Sequence, residues 1–463
     1  MENTAPLWLN PRWLKSLLSE TSTPTRPEVE SILDKAMTME NLTVEETASL
    51  MRVKDPELKQ LIRETARKVK GKAYGDRIII TAPLHLTNIC SSECTYCPSR
   101  VNNKAIERKR LSMDEIREAT TRLVQQGHKR MVLAVSHVTA EDIDYIHDAV
   151  ETVNSVSDGG EIRSVNLKVE GLDANDFRRL KEIWDVNVVI SFQETYDEEC
   201  YRATHLAGPK ADFFAHLNVP DAIFDAEMKD CGFGLLLGLS DWHFDVLAMI
   251  QHSEHLIDKY GVFPHTVNLS RLCRVPGSLL WPAPHALSDE EYIDCIAMVR
   301  LAIPNTGIIV STREPGDLWK QACDAGASQL YTGSLANPYE SWTEAPNQQV
   351  PFPDQSESHL DEVVRYFVET AHHLPAFCAA CGRMGRTGQE FMEMVRNCGM
   401  SSQCWPNACA SLYEYLLHYA TPRTRDLGEK LIKSKLGEMS SSEREIAERL
   451  LGFVRNGRLD EFV

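Results

Sequence analysis

The chain has 463 residues, 43% of them hydrophobic and 25% charged, and a formal net charge of −18. That charge argues against a nucleic-acid or anionic-membrane surface, since either wants a basic face, and no apolar run is long enough to span a bilayer. Thirteen cysteines, behind an N-terminus ("MENTAPLWLNPRWLK") without the pattern of an export signal, suit metal-bound thiols in a reducing, cytoplasmic setting better than disulfides.

Residues 1–75 read as a helical region, as in "RPEVESILDKAMTMENLTVEETASLMRV". Apolar runs then alternate with helical stretches. They are "RIIITAPLHLT" (77–87), "RMVLAVS" (130–136), "SVNLKVE" (164–170), "NVVISFQET" (187–195), "GFGLLLGL" (232–239), "HTVNLSR" (265–271), "TGIIVSTR" (306–313) and "SQLYTGS" (328–334). Near-continuous hydrophobicity suits parallel strands covered on both faces. Ser112 and Glu115 open one of the intervening helices with a capping box. The pattern predicts an α/β fold, a (β/α)8 barrel of the TIM type over residues 76–345. A doubly wound open sheet would satisfy the same alternation. From residue 346 the character changes. "QQVPFPDQSESH" is a polar linker, and a C-terminal helical domain carrying its own cysteine cluster is expected over 346–463.

Directly after the first strand, "LTNICSSECTYCPSR" sets Cys90, Cys94 and Cys97 in a C-x3-C-x2-C pattern. Three soft ligands with a vacant fourth position suit an iron–sulfur cluster that keeps one iron open for chemistry. The loop would sit at the C-terminal mouth of the barrel, where barrel enzymes place catalysis. A structural zinc site completed by a distant ligand is the alternative. In the tail, "FCAACGRMGRTGQEFMEMVRNCGMSSQCWPNACASLYEYLLHYA" pairs Cys378 with Cys381 and follows them with Cys404. Cys398 and Cys409 compete for the third place, and zinc fits this bare pattern too. Ser311 and Arg313, at the mouth end of strand seven, are placed to hold an amino-acid carboxylate, for which arginine offers a bidentate fork. Gln193 and Glu194 end strand four on the same face; a structural ion pair is their alternative role. Cys200, Cys231, Cys273, Cys295 and Cys323 read as buried small hydrophobes.

The first motif resembles the radical S-adenosylmethionine (SAM) superfamily. There three such cysteines hold a [4Fe–4S] cluster, SAM chelates the fourth iron, and homolysis gives a 5′-deoxyadenosyl radical. The tail, with its "GRTG", "C-x-PNA" and "EYL" elements, is similar to the C-terminal domain of the hydrogenase maturases of the HydG family. "APLHLTNICSSECTYC", "RKRLSMDEIRE", "GEIRSVN", "FQETYDEE", "GPKADF", "SDWHFDVL", "GVFPHTV", "STRE" and "LGEKLI" resemble that family in matching order. The resemblance implies a tyrosine lyase that releases p-cresol and converts the remainder to carbon monoxide and cyanide. It implies a second [4Fe–4S] cluster on Cys378, Cys381 and Cys404, with an additional iron held by His265 of "PHT". It also implies an electron donor such as ferredoxin or flavodoxin, and other hydrogenase maturation proteins as partners. The related thiazole-synthesis tyrosine lyase ThiH stops at dehydroglycine.

The resemblance breaks around the SAM pocket. A Gly-Glu element that holds the SAM amino group is replaced by Ser136 and His137, and an arginine for the SAM carboxylate by His216. Strand three ends in "KVEGLDAND", which brings Glu170 into the pocket in place of small and hydroxyl residues. A lyase for another amino acid and a non-catalytic iron–sulfur carrier therefore stand as alternatives to the tyrosine reading.

Overall fold

The computed structural model describes residues 6–137, 139, 142–183, 188–332, 359–370, 372–397 and 399–463. The polar linker, the 345/346 boundary and Cys398 lie outside them.

Four helices come first: Pro11–Glu20, Arg26–Met37, Val44–Met51 and Pro56–Tyr74. Thr25 with Glu28 and Thr43 with Glu46 form reciprocal capping boxes, and Asp55 caps the fourth helix ahead of Pro56. The fourth helix buries Leu58, Ile62, Ala66 and Val69, a spacing that lines one helical face, and it packs against the helix Asp289–Ala302.

Eight parallel strands follow: β1 Arg77–His85, β2 Arg130–His137, β3 Ser164–Glu170, β4 Val189–Glu194, β5 Cys231–Leu237, β6 Thr266–Arg271, β7 Gly307–Val310 and β8 Gln329–Tyr331. Each pairs with its successor, and β1 pairs with both β8 and β2, so the sheet closes into a barrel. Closure removes the open-sheet alternative. The Ser112 capping box forms and opens the helix Met113–Gln125. On β3, Val165, Leu167 and Val169 join the core beneath the outer helices, whereas Lys168 and Glu170 line a cavity inside the barrel. That is the period-two alternation of a strand. Gly234 on β5 lets the Phe192 ring lie against the wall: a Cβ there would come within 2.3 Å of the ring.

A ninth strand was not legible in the sequence. β9, Leu374–Ala376, pairs with the first residues of β1, Arg77–Ile79, while β2 pairs with the last, Ala82–His85. The tail helix Gly399–His418 packs against it, and Pro422–Glu438 and Ser441–Arg455 pack on that helix. Lys435 of Pro422–Glu438 reaches Asp76 at 2.6 Å, just ahead of β1. No helix among the described residues is long and apolar enough to cross a membrane.

Candidate active site and metal centres

The loop after β1 is shaped by side chains reaching its own backbone. Arg108 donates to the carbonyls of Asn88 (2.7 Å) and Ser99 (2.8 Å). Asn103 donates to those of Pro98 (2.7 Å) and Pro276 (3.0 Å), and Arg100 pairs with Glu93 at 2.7 Å. On its other side the loop pairs with residues 204–207: Thr95 N–H donates to Thr204 O at 2.8 Å and Leu206 N–H to Glu93 O at 2.9 Å. The chains approach so closely that a Cβ on Gly208, whose φ is +83°, would meet Ser91 O at 2.4 Å. The result turns Cys90, Cys94 and Cys97 into one cavity of about 110 Å³ at the top of the barrel. Burial pushes the Cys94 and Cys97 thiols up, so binding a metal there must expel protons. Neither this triad nor the tail triad brings its three sulfurs within 4.8 Å of one another. A tetrahedral zinc site with ~2.3 Å bonds would set them about 3.8 Å apart.

Opposite the thiols stands a buried charge network. A register shift between Phe192 and Glu194, with Glu194 at φ +66°, turns that carboxylate inward. Asp245 clamps the next turn, accepting from Thr195 Oγ1 (2.9 Å), Tyr196 N–H (2.7 Å) and Ser240 Oγ (2.6 Å). Lys210 Nζ lies 2.7 Å from Glu194 and 3.6 Å from Glu170. Burial alone would raise Glu194; Lys210 and Lys168 overcome it and hold the carboxyl down at about 2. Burial likewise opposes the Lys210 ammonium, but Glu170 and Glu194 keep it well above the usual lysine range.

The cavity continues into a lower chamber of about 90 Å³. His85, Lys168, Arg313, Ser270, Ser311 and Tyr331 are among its walls, and among the described residues no carboxylate is. Ala134 lies in register between His85 and Lys168, and its small side chain leaves both room to project. Burial, reinforced by Lys168 and Arg313, pushes the His85 imidazole down to about 3.

The structure thus brings Ser136, Glu194 and Arg313 to the upper cavity and Ser311 and Arg313 to the lower. Gln193 turns aside, donating to Thr195 O at 3.2 Å. His216 stands behind the wall, its Nε2 2.6 Å from Phe192 O and 3.6 Å from Glu170. Sequence reasoning missed Lys168, Lys210, His85 and Tyr331. Lys168, a charge on the polar face of the alternating strand "SVNLKVE", was the one legible signal among them.

The second cysteine set lies under the barrel. Cys378 follows β9, Cys381 sits in the short helix Ala380–Arg383, and Cys404 projects from the helix Gly399–His418. Burial, then Cys404 and Cys378, pushes the Cys381 thiol up to about 12. Two buried arginines face them. Arg77, the first residue of β1, hydrogen-bonds Cys404, which together with Cys381 offsets the cost of burying the guanidinium. Arg130, the first residue of β2, donates to Cys378 O at 3.0 Å. Among the described residues Arg77 Nη1, Arg130 Nε and His265 Nδ1 find no hydrogen-bond partner. The two buried guanidiniums with N–H groups left over beside three thiols fit an anionic thiolate-bound cluster. His265 immediately precedes β6, at the same end of the barrel; its ring stacks on Phe391 of the tail at 4.5 Å. Its Nδ1 is 3.3 Å from Asp230 Oδ1 but off the line of a hydrogen bond. Cys409 is turned elsewhere, towards Lys435. Cys231, Cys295 and Cys323 are buried as expected, while Cys200 and Cys273 are only partly so.

Residues 268–401 match the Biotin and Thiamin Synthesis associated domain. The 2-iminoacetate synthase of Escherichia coli (strain K12) is 27% identical over 285 residues, 61% of this chain and 73% of that protein. Among solved structures, HydG from Carboxydothermus hydrogenoformans, an FeFe-hydrogenase maturase, aligns with a TM-score of 0.81 and 30% identity over 95% of this chain and 97% of its own. A crystal structure of HydG, a maturase of the [FeFe]-hydrogenase, aligns with a TM-score of 0.92 and 32% identity over 98% of this chain and all (100%) of its own. With a closed barrel, a thiol triad at each end and that likeness over nearly its whole length, the chain belongs to the HydG family of hydrogenase maturases.

Proposed function

We propose that the protein is a radical SAM lyase that cleaves the Cα–Cβ bond of tyrosine at the top of the barrel. The products would be p-cresol and a two-carbon remainder, which the bottom site would convert to carbon monoxide and cyanide for hydrogenase maturation. The observation that carries this reading is the placement of two cysteine triads at opposite ends of one barrel, with a polar chamber below the first. A [4Fe–4S] cluster on Cys90, Cys94 and Cys97 would supply, with SAM, the one-electron chemistry that generates the radical.

The chain's own residues bind, orient and exclude water. Arg313 and Ser311 take the substrate carboxylate. Ser136 and the permanently anionic Glu194 face the cofactor side, and Gln193 and His216 support them from behind. Phe192, Leu236 and Tyr96 give the upper cavity its apolar walls, which keep solvent from a radical. Below, Cys378, Cys381 and Cys404 would hold a second cluster, and His265 an additional iron. Electrons would come from a ferredoxin or flavodoxin in a reducing cytoplasm, and other maturation proteins would receive the product.

Anaerobic reconstitution with SAM, reductant and tyrosine tests this. 5′-Deoxyadenosine, p-cresol and carbon monoxide are expected together. 5′-Deoxyadenosine without p-cresol would mean another amino-acid substrate, a reading that Lys168 and Glu170 in the cavity wall favour. No 5′-deoxyadenosine at all would leave an iron–sulfur carrier.

A further inference from the structure

Lys168 has no task in the mechanism above. Its side chain projects from β3 where the two halves of the cavity meet and lines both. The ammonium lies 4.0 Å over the Phe192 ring. That ring cannot retreat, because it already occupies the space over Gly234. Among the described residues no carboxylate comes within 4.0 Å of Lys168 Nζ. The two acids closest in influence, Glu170 and Glu194, are engaged by Lys210 and, for Glu170, His216. Burial opposes the Lys168 charge, and those acids restore it only in part. The Tyr331 ring lines the same chamber, while its buried hydroxyl, with no hydrogen-bond partner among the described residues, lies within the influence of Arg130. A half-buried cation that lines a cavity and has no carboxylate of its own is costly unless a ligand supplies the complement.

We propose that Lys168 is a specificity-determining residue that receives an oxyanionic group at the side-chain end of an α-amino-acid substrate, while Arg313 and Ser311 receive its α-carboxylate. This rests on reading the top site as that of an amino-acid lyase. Two basic groups on different strands, β3 for Lys168 and the end of β7 for Arg313, suit a substrate with two negative poles. An oxygen at the far pole would accept from the Lys168 ammonium and stay within the chamber that Tyr331 also lines. A phenolic oxygen drawn towards phenolate and a side-chain carboxylate share this chemistry. An unsubstituted phenyl ring lacks it.

The test is equilibrium dialysis of reconstituted enzyme with SAM and no reductant, so that nothing turns over, against L-tyrosine, L-glutamate and L-phenylalanine. Wild type should bind tyrosine or glutamate at least about tenfold more tightly than phenylalanine, as a charge-assisted hydrogen bond implies. Lys168→Met should erase that preference without weakening phenylalanine, and Lys168→Arg should restore part of it. Equal binding of all three by wild type, no binding of any, or a preference that survives in Lys168→Met overturns the proposal. Should Lys168→Met lose iron, Lys168→Gln takes its place, with wild-type discrimination as the independent arm. Glutamate preferred, with no p-cresol from tyrosine, would uphold Lys168 and sink the tyrosine reading. p-Cresol formation indifferent to Lys168 would do the reverse.

Discussion

At the top of the barrel three thiols lie within eight residues of one loop; at the bottom, Cys378 and Cys381 wait for Cys404 from a helix that begins at Gly399. The top loop is shaped by its own neighbours: Asn103 and Arg108 reach its carbonyls, and Arg100 holds its Glu93 carboxylate. The bottom triad is held from further away: it assembles where β9 meets β1, Arg130 reaches the Cys378 carbonyl from the start of β2, and Arg77 and Arg130 supply the surrounding charge. The electrostatics differ as well. The top thiols face a mixed network of Glu170, Glu194 and Lys210, the bottom ones two guanidiniums. One site is therefore local and charge-balanced, the other tertiary and cationic, and each should be breakable without the other.

The largest effect expected is from Cys94→Ala. It should abolish 5′-deoxyadenosine formation and lower iron from about eight to about four per chain, by the stoichiometry of two four-iron clusters. Iron near eight, or surviving SAM cleavage, would refute the assignment of the top triad. Next, Cys378→Ala or His265→Ala should leave p-cresol largely intact while carbon monoxide falls sharply. Equal loss of both products would mean the ends are not separate. Lys210→Met strands Glu170 and Glu194 in the top wall and should cost about 3–5 kcal/mol of stability, read in chemical unfolding, with the bottom cluster spectrum unchanged. Arg77→Met removes positive charge beside the bottom thiols. It should lower that cluster's potential by on the order of tens of millivolts, seen in a redox titration, and leave the top cluster where it was.

A last effect is in pH. Glu194 is held down from its ordinary 4.5 to about 2, so the stability it contributes is complete above 4.5 and drains as pH falls towards 2. That amounts to roughly 3 kcal/mol at 1.4 kcal/mol per unit. Thermal melts from pH 7 to pH 3.5 should show wild type losing stability faster than Glu194→Gln; parallel curves would show that the Lys210 pairing is not what depresses the carboxyl.

The same contrast governs what could be read in advance. A C-x3-C-x2-C run and eight apolar strands are one-dimensional patterns, and the barrel follows from them. The third bottom cysteine is not such a pattern. Cys404 and Cys409 lie five residues apart on one helix, about 140° around its axis at 100° per residue, and only the docking of that helix decides which faces Arg77. β9 escaped because Leu-Pro-Ala is too short and too ordinary to announce a strand. In the cavity, Glu170 and Glu194 were visible as charges. Their common partner Lys210, in a short 3-10 turn sixteen residues beyond Glu194, was not, since the pairing exists only once that turn folds back over the strand ends.

β9 also sets the order in which the molecule can be completed. Arg77, at the start of the first barrel strand, has no strand beside it on one flank until Leu374 has been made. On a ribosome, the mouth of the barrel and its thiol loop can be finished while the floor is still open. A contact between positions so far apart in the chain is slow to form and leaves an unpaired edge exposed meanwhile. A chain released before residue 374 would carry its thiol loop over an unsealed floor.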